Sequence, residues 1–216
     1  HFMFEVLPAA MVCLEKFPDF RLLVPAGAPR YITMYAQLIS DSKPLVATGS
    51  LRVKKAIIAG RTPYSGFIQK AEILRLQSFF QSRFPRQQGE LKLYISRAKD
   101  QRRTLENEAT LEAKLIAMGF EIYLLQEMTV SAQIELFRRA KHIIAPHGAG
   151  LSNIIWCSQQ ASLIEIFPFK SRNDCYSRLA VNSGMNYQYF VCEQSKTSFG
   201  MIPVDSIFGP VRKVSY

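Results

Sequence analysis

The sequence predicts an α/β chain with a doubly wound parallel sheet in its C-terminal half and part of a second α/β domain before it. Three observations carry that expectation. From residue 91 onward, short apolar runs alternate with stretches of helical period, which argues for βαβ units. One apolar run, "HIIAP", ends in the glycine turn "HGAG" and leads into a helical stretch. A carboxylate, Glu165, stands inside the next apolar run, "SLIEIF". A core alone calls for neither the glycines nor the carboxylate.

Residues 1–17 pattern as a helix, with Phe4, Leu7, Met11 and Leu14 recurring on one face, and Pro8 marks a kink or boundary. "RLLVP" (21–25) reads as a strand, and a Gly/Pro loop leads to a helix over 31–40. "LRVKKAIIA" (51–59) reads as a second strand, followed by a loop and a helix over 71–84. The polar "PRQQGE" (85–90) is the expected linker, dividing the chain into domains 1–86 and 87–216. Beyond it come a strand at 91–96, a helix at 104–118 with Gly119 as its stop, and a strand at 120–125. A helix at 131–140, the strand "HIIAP" (142–146) and a short helix at 151–157 follow. The strand "SLIEIF" (162–167), a helix at 174–183 and the strand "YQYFVC" (187–192) complete the pattern. Right-handed crossovers make such a sheet doubly wound and Rossmann-like, with ligands bound beyond the carboxyl ends of its strands.

Composition narrows the partners. The chain has 216 residues, 48% hydrophobic and 20% charged, enough to bury a sizeable core. A net charge of +10 favours an anionic partner: nucleic acid, a phosphorylated small molecule or an acidic membrane surface. No helix-turn-helix, RNP-like or zinc pattern supports nucleic acid. Four scattered cysteines without a CxxC spacing read as reduced thiols, hence a cytoplasmic protein. No apolar run has the length of a membrane span, and no signal peptide is visible. A chain opening on His1 reads as the interior of a longer protein.

Several residues are candidates for chemistry. A strand, "PHGAG" and a helix start present free backbone N–H groups that suit a phosphate or diphosphate, and Gly148 and Gly150 let the backbone approach a ligand. The alternative is a tight turn whose glycines serve packing. In "SRAKDQRRTLEN", Arg97 follows a strand and suits a bidentate phosphate contact, Arg103 is an even choice, and Arg102 reads as surface. Glu165 pairs with a ribose diol or points to solvent at its strand end. His147 donates to a phosphate or sugar hydroxyl, or it caps and packs; His142 reads as structural. Metal ligation finds no spacing to support it, and there is no "DxD" or Gly-x-Ser-x-Gly.

In their order, strand-"SR", "RR…N", "GFE", "FRRAKHIIAPHGAGLSN" and "IEIFP" resemble the C-terminal half of family 61 glycosyltransferases, and "HFMFEVLP" resembles the family's His-aromatic-x-x-acidic-x-x-Pro segment. Its bacterial members are described as capsular polysaccharide biosynthesis proteins. The resemblance implies a GT-B-like fold that transfers a sugar, with inversion, from a nucleotide-sugar to a hydroxyl of a glycan or lipid-linked glycan. It implies no cofactor and no essential metal, and it allows peripheral association with the inner face of the membrane. Arg97, Arg103, Asn107, His147, Gly148, Ala149, Gly150, Asn153 and Glu165 match its donor-binding pattern. The base that takes the acceptor proton is then sought in Glu5 or His1. Residues 1–86 look like only the latter part of an acceptor-side domain, so the chain reads as N-terminally truncated.

Overall fold

The computed structural model describes residues 2–60, 69–85, 89–99, 104–196 and 199–208. By contacts the chain forms two compact units, His1–Phe79 and Phe80–Tyr216. The division falls inside a helix, ahead of the linker expected at 85–90, of which residues 86–88 lie outside the described residues.

The first unit opens with a π-helical stretch, Phe2–Val6, that becomes helix α1 at Leu7–Lys16, with Pro8 in the first turn. Proline fits there because that turn needs no N–H for the helix ladder. Strand β1 (Leu23–Pro25), helix α2 (Arg30–Ile39) and strand β2 (Leu45–Ala47) follow, with β1 and β2 paired in parallel. Leu7, Met11, Tyr35, Ala36, Ile39, Ile73 and Leu76 are buried in this unit. The strand expected at 51–59 does not form: residues 50–60 carry no strand, and Ile58 is 91% exposed. An alternating apolar run becomes a strand only against a partner edge, and here β1 pairs with the earlier "LVA" instead.

Helix α3 (Lys70–Arg83) spans the division. The second unit then holds β3 (Leu91–Ile95), α4 (Glu108–Ala117), β4 (Glu121–Tyr123), α5 (Val130–Arg139), β5 (Ala140–Pro146), β6 (Ser162–Phe167), α6 (Cys175–Asn182) and β7 (Asn186–Val191). Its strands form one parallel sheet in the order β4-β3-β5-β6-β7. The central strands are nearly continuous apolar runs whose successive residues are buried, as in parallel sheets covered on both faces. Tyr94, Leu111, Leu115, Ile144 and Ile166 form part of one core.

Local signals fix the crossovers. After α4, Gly119 takes φ +82° and donates its N–H to Ile116, while Phe120 N–H reaches back to Leu115 O. After α6, Gly184 at φ +75° and Met185 repeat the pattern on Val181 and Ala180. Both are Schellman stops, which satisfy the last helical carbonyls and need a residue tolerant of the left-handed region. Thr129 caps α5 by accepting from Ala132 N–H at 3.2 Å.

Two expected helices differ. The helix expected from residue 104 begins at Glu108, because Leu105 bridges to Gly200 and Glu106 N–H donates to Gly200 O. The segment after the glycine turn, Ala149–Trp156, is a 3₁₀ helix rather than an α-helix.

Candidate functional site

All strands of the sheet are parallel, so their carboxyl ends share one rim. The chain runs from β3 outward to β4, then returns to the other side of β3 with β5 and continues through β6 and β7. The order therefore reverses between β3 and β5. In doubly wound sheets that reversal opens the crevice that takes ligands. Arg97 follows β3 there, and His147 and Gly148 follow β5.

These two flanks meet. A Cβ built on Gly148 would lie 2.3 Å from Arg97 Nη2 and 2.7 Å from Cζ, so the guanidinium rests directly against the glycine. Gly148 itself has φ 165°, an extended conformation open to any residue. Glycine is needed here for space, and the occupant of that space is a cation. Gly150 is tight for another reason, since its Cβ would come within 2.9 Å of Leu125 Cδ1.

The backbone of Arg97 is held from below. Its N–H donates to Glu108 Oε1 at 2.7 Å, and Tyr94 Oη donates to the same oxygen at 2.9 Å. Glu108 is buried in the first turn of α4, a position where a carboxylate complements the helix N-terminus. Burial pushes its carboxyl above the ordinary range, partly opposed by the Arg97 N–H and the Tyr94 hydroxyl, and nearby Glu112 adds to the rise. Its second oxygen has no hydrogen-bond partner among the described residues.

The other flank is a second carboxylate arrangement. His147 Nδ1 lies 2.5 Å from Glu165 Oε1, and Tyr187 Oη donates to Oε2 at 2.7 Å. The imidazole stacks on Phe167 with centroids 5.1 Å apart and meets Tyr176 at 5.4 Å. Its side chain keeps 18% exposure. Burial pushes the Tyr176 phenol up to about 12, while a hydrogen bond with Ser152 and the charge of Arg97 act in the opposite sense.

The expected site residues thus divide. Arg97, His147, Gly148, Ala149 and Gly150 gather at the reversal of strand order, with Ala149 exposed at the start of the 3₁₀ helix. The Asn107 side chain is engaged with the C-terminal segment: its Nδ2 donates to Ile202 O at 2.7 Å and its Oδ1 accepts from Ile202 N–H at 3.0 Å. A side-chain amide matched to a peptide group is a brace for the C-terminal segment. Asn153 is likewise spent inside, donating to Gln133 Oε1 and Gly150 O. Glu165 is fully buried with both oxygens engaged, one by His147 and one by Tyr187. Arg103 and His1 lie outside the described residues, and Glu5 lies half-buried in the π-helical stretch of the first unit.

Sequence reasoning missed Glu108, Tyr176 and Tyr187. Glu108 did leave a signal, because Leu111 and Leu115 follow it at helical spacing and put the acid on a buried face. Among the described residues no group of three or more His, Cys, Asp or Glu is placed to hold a metal. No helix of the described residues is long and apolar enough to cross a membrane.

The family model described as Glycosyltransferase 61 matches residues 1–164, which takes in Arg97 and the His147–Gly150 turn and stops just before Glu165. No curated protein matches the chain.

Proposed function

From the premise that this chain belongs to the glycosyltransferase 61 family, we propose that it moves a sugar, with inversion, from a nucleotide-sugar to a hydroxyl acceptor. The acceptor is a glycan or lipid-linked glycan, in capsular or other cell-surface polysaccharide synthesis at the cytoplasmic side of a membrane. The donor diphosphate binds at the β3/β5 reversal. One observation carries this reading: the Arg97 guanidinium lies against Gly148 where the strand order reverses.

In this mechanism the acceptor oxygen forms a bond to the anomeric carbon as the bond from that carbon to the β-phosphate oxygen breaks. The electron pair leaves with the nucleoside diphosphate, and the acceptor proton passes to a base, for which Glu5 or His1 is proposed. Negative charge grows on the leaving diphosphate. Arg97 and the N–H groups at Ala149 and Gly150 are fixed before the reaction, so they stabilise that charge without reorganising. Arg97 in this reading takes the role that a divalent cation takes elsewhere.

Calorimetric titration with UDP, GDP, CDP and ADP tests the donor site, followed by sugar-transfer assays with the corresponding nucleotide-sugars. One nucleotide should bind, and Arg97→Ala should weaken it and cut kcat by about 10²-fold or more, the usual loss of one preorganised charge-stabilising group. Unchanged binding in Arg97→Ala would refute the assignment. Binding without transfer would favour a nucleotide-binding module that has no catalytic role.

A further inference from the structure

In the first unit, the segment after β2 brings apolar side chains and positive charge to solvent together. Leu51, Val53 and Ile58 are exposed, and Arg52, Lys54 and Lys55 stand exposed between them. Lys55 Nζ lies 5.5 Å from the centre of the Phe20 ring, so the chain that leaves the end of β2 returns to the start of β1. Phe20 in turn meets Phe17, with ring centroids 5.7 Å apart. Leu23 and Leu45 are partners in the β1–β2 register, share one face and are both exposed. Arg21 donates to Lys43 O at 3.0 and 2.7 Å, which sets two more cations at the strand starts. A solvated loop has no use for these aliphatic side chains, and a core would have buried them.

Charge decides what fits such a surface. From Lys16 to Gly60 the chain carries seven Lys or Arg against two acids, Asp19 and Asp41. A second copy docked through the same patch would set these cations against one another. A nucleic acid would answer the charge, yet its phosphates offer Leu51, Val53 and Ile58 nothing apolar to enter. An anionic bilayer answers both, because its headgroups attract Lys and Arg while aliphatic side chains enter the acyl boundary. We propose that residues 51–58, with Phe17, Leu23 and Leu45 beside them, form a docking surface for a bilayer bearing anionic lipid. The proposal rests on the reading above of synthesis at a membrane and deepens it, by naming the part of the chain that meets the lipid. Donor binding plays no part in it.

Co-sedimentation with vesicles tests it, using phosphatidylcholine alone and an equal mixture of phosphatidylcholine and phosphatidylglycerol. The chain should bind the mixed vesicles and leave the neutral ones. Replacing Arg52, Lys54 and Lys55 together by Ala should weaken binding about 10²-fold, at about fivefold for each cation near an anionic surface. Replacing Leu51, Val53 and Ile58 together by Ser should weaken it by about tenfold or more. All six side chains are exposed, so both variants should fold as the parent does. In Ile58→Trp, mixed vesicles should move the tryptophan emission to the blue over a constant background from Trp156, which is buried. Failure to bind mixed vesicles, or binding that survives either triple variant, overturns the proposal. Blue-shifted Ile58→Trp emission without lipid, together with concentration-dependent dimerisation, gives the surface to a second copy and overturns it too. Oligonucleotide binding lost in the basic variant and kept in the apolar one, with no vesicle binding, gives it to nucleic acid instead. Nucleotide titration of the same samples keeps the two readings apart. Nucleotide binding without lipid binding overturns the docking surface alone, and lipid binding without nucleotide binding overturns the donor site alone.

Discussion

The two flanks of the β3/β5 reversal are built from the same parts and use them differently. Each has a basic side chain just past a strand end, a buried glutamate beneath it, and a tyrosine hydroxyl on that glutamate. On the β3 flank Glu108 grips the backbone N–H of Arg97, which leaves the guanidinium to reach across to Gly148. On the β5 flank Glu165 grips the His147 ring itself. Holding a backbone fixes where a side chain starts. Holding a ring fixes which atom it offers. The first carboxylate thus positions a backbone, and the second positions a ring.

The largest expected effect comes from the contact that joins the flanks. Gly148→Ala places a methyl group where Arg97 Nη2 now lies, and the flexible guanidinium must give way. Backbone strain is absent, since φ 165° suits alanine. Thermal stability should stay within about 0.5 kcal/mol of the parent, while transfer activity falls by about 10²-fold, as for loss of one preorganised donor. Equal activity in the two proteins would detach Arg97 from the reaction.

Next in size is the brace outside both flanks. Asn107→Ala removes two hydrogen bonds to the peptide groups of Ile202, a buried residue, and leaves those groups without these partners. Denaturant unfolding should show a loss of about 1–3 kcal/mol, with the KM for the donor unchanged. A raised KM at unchanged stability would return Asn107 to the donor site.

The smallest effect isolates the β3 carboxylate. Burial raises the Glu108 carboxyl, so the folded chain holds that proton more tightly than the unfolded chain does. Between the unfolded value and the raised one, the folded state binds more protons, and stability falls as pH increases through that window. The contribution is complete below the ordinary carboxylate range and declines above it, with a slope of at most about 1.4 kcal/mol per pH unit. Melting curves of Glu108→Gln across this range should lose the slope, because the amide oxygen still accepts from Tyr94 and Arg97. A slope that survives would place the titrating group elsewhere.

Much of the second unit was legible in the sequence. Gly119 stops its helix where a left-handed residue was required, and "SLIEIF" forms β6 over Ser162–Phe167. Apolar periodicity and turn chemistry act over a few residues, so they survive without knowledge of the rest. The first unit was less legible. "LRVKKAIIA" has the pattern of a strand, yet β1 pairs with Leu45–Ala47, a choice made by the partner edge rather than by the pattern. In the site, the rim position of Arg97 and His147 followed from where each strand ends. The uses of Asn107, Asn153 and Glu165 did not.

The sequence by itself determined the alternation of strands and helices, hence a parallel sheet, and it placed the odd glycines and charges at the carboxyl ends of the strands. Tertiary structure alone decided that β5 returns beside β3, that Arg97 fills the space above Gly148, and that Glu165 meets a histidine. The physical reason is range. Period and capping depend on neighbours within a turn or two, whereas a polar side chain's partner depends on which strand lies next to it. That adjacency is set by the packing of the whole sheet.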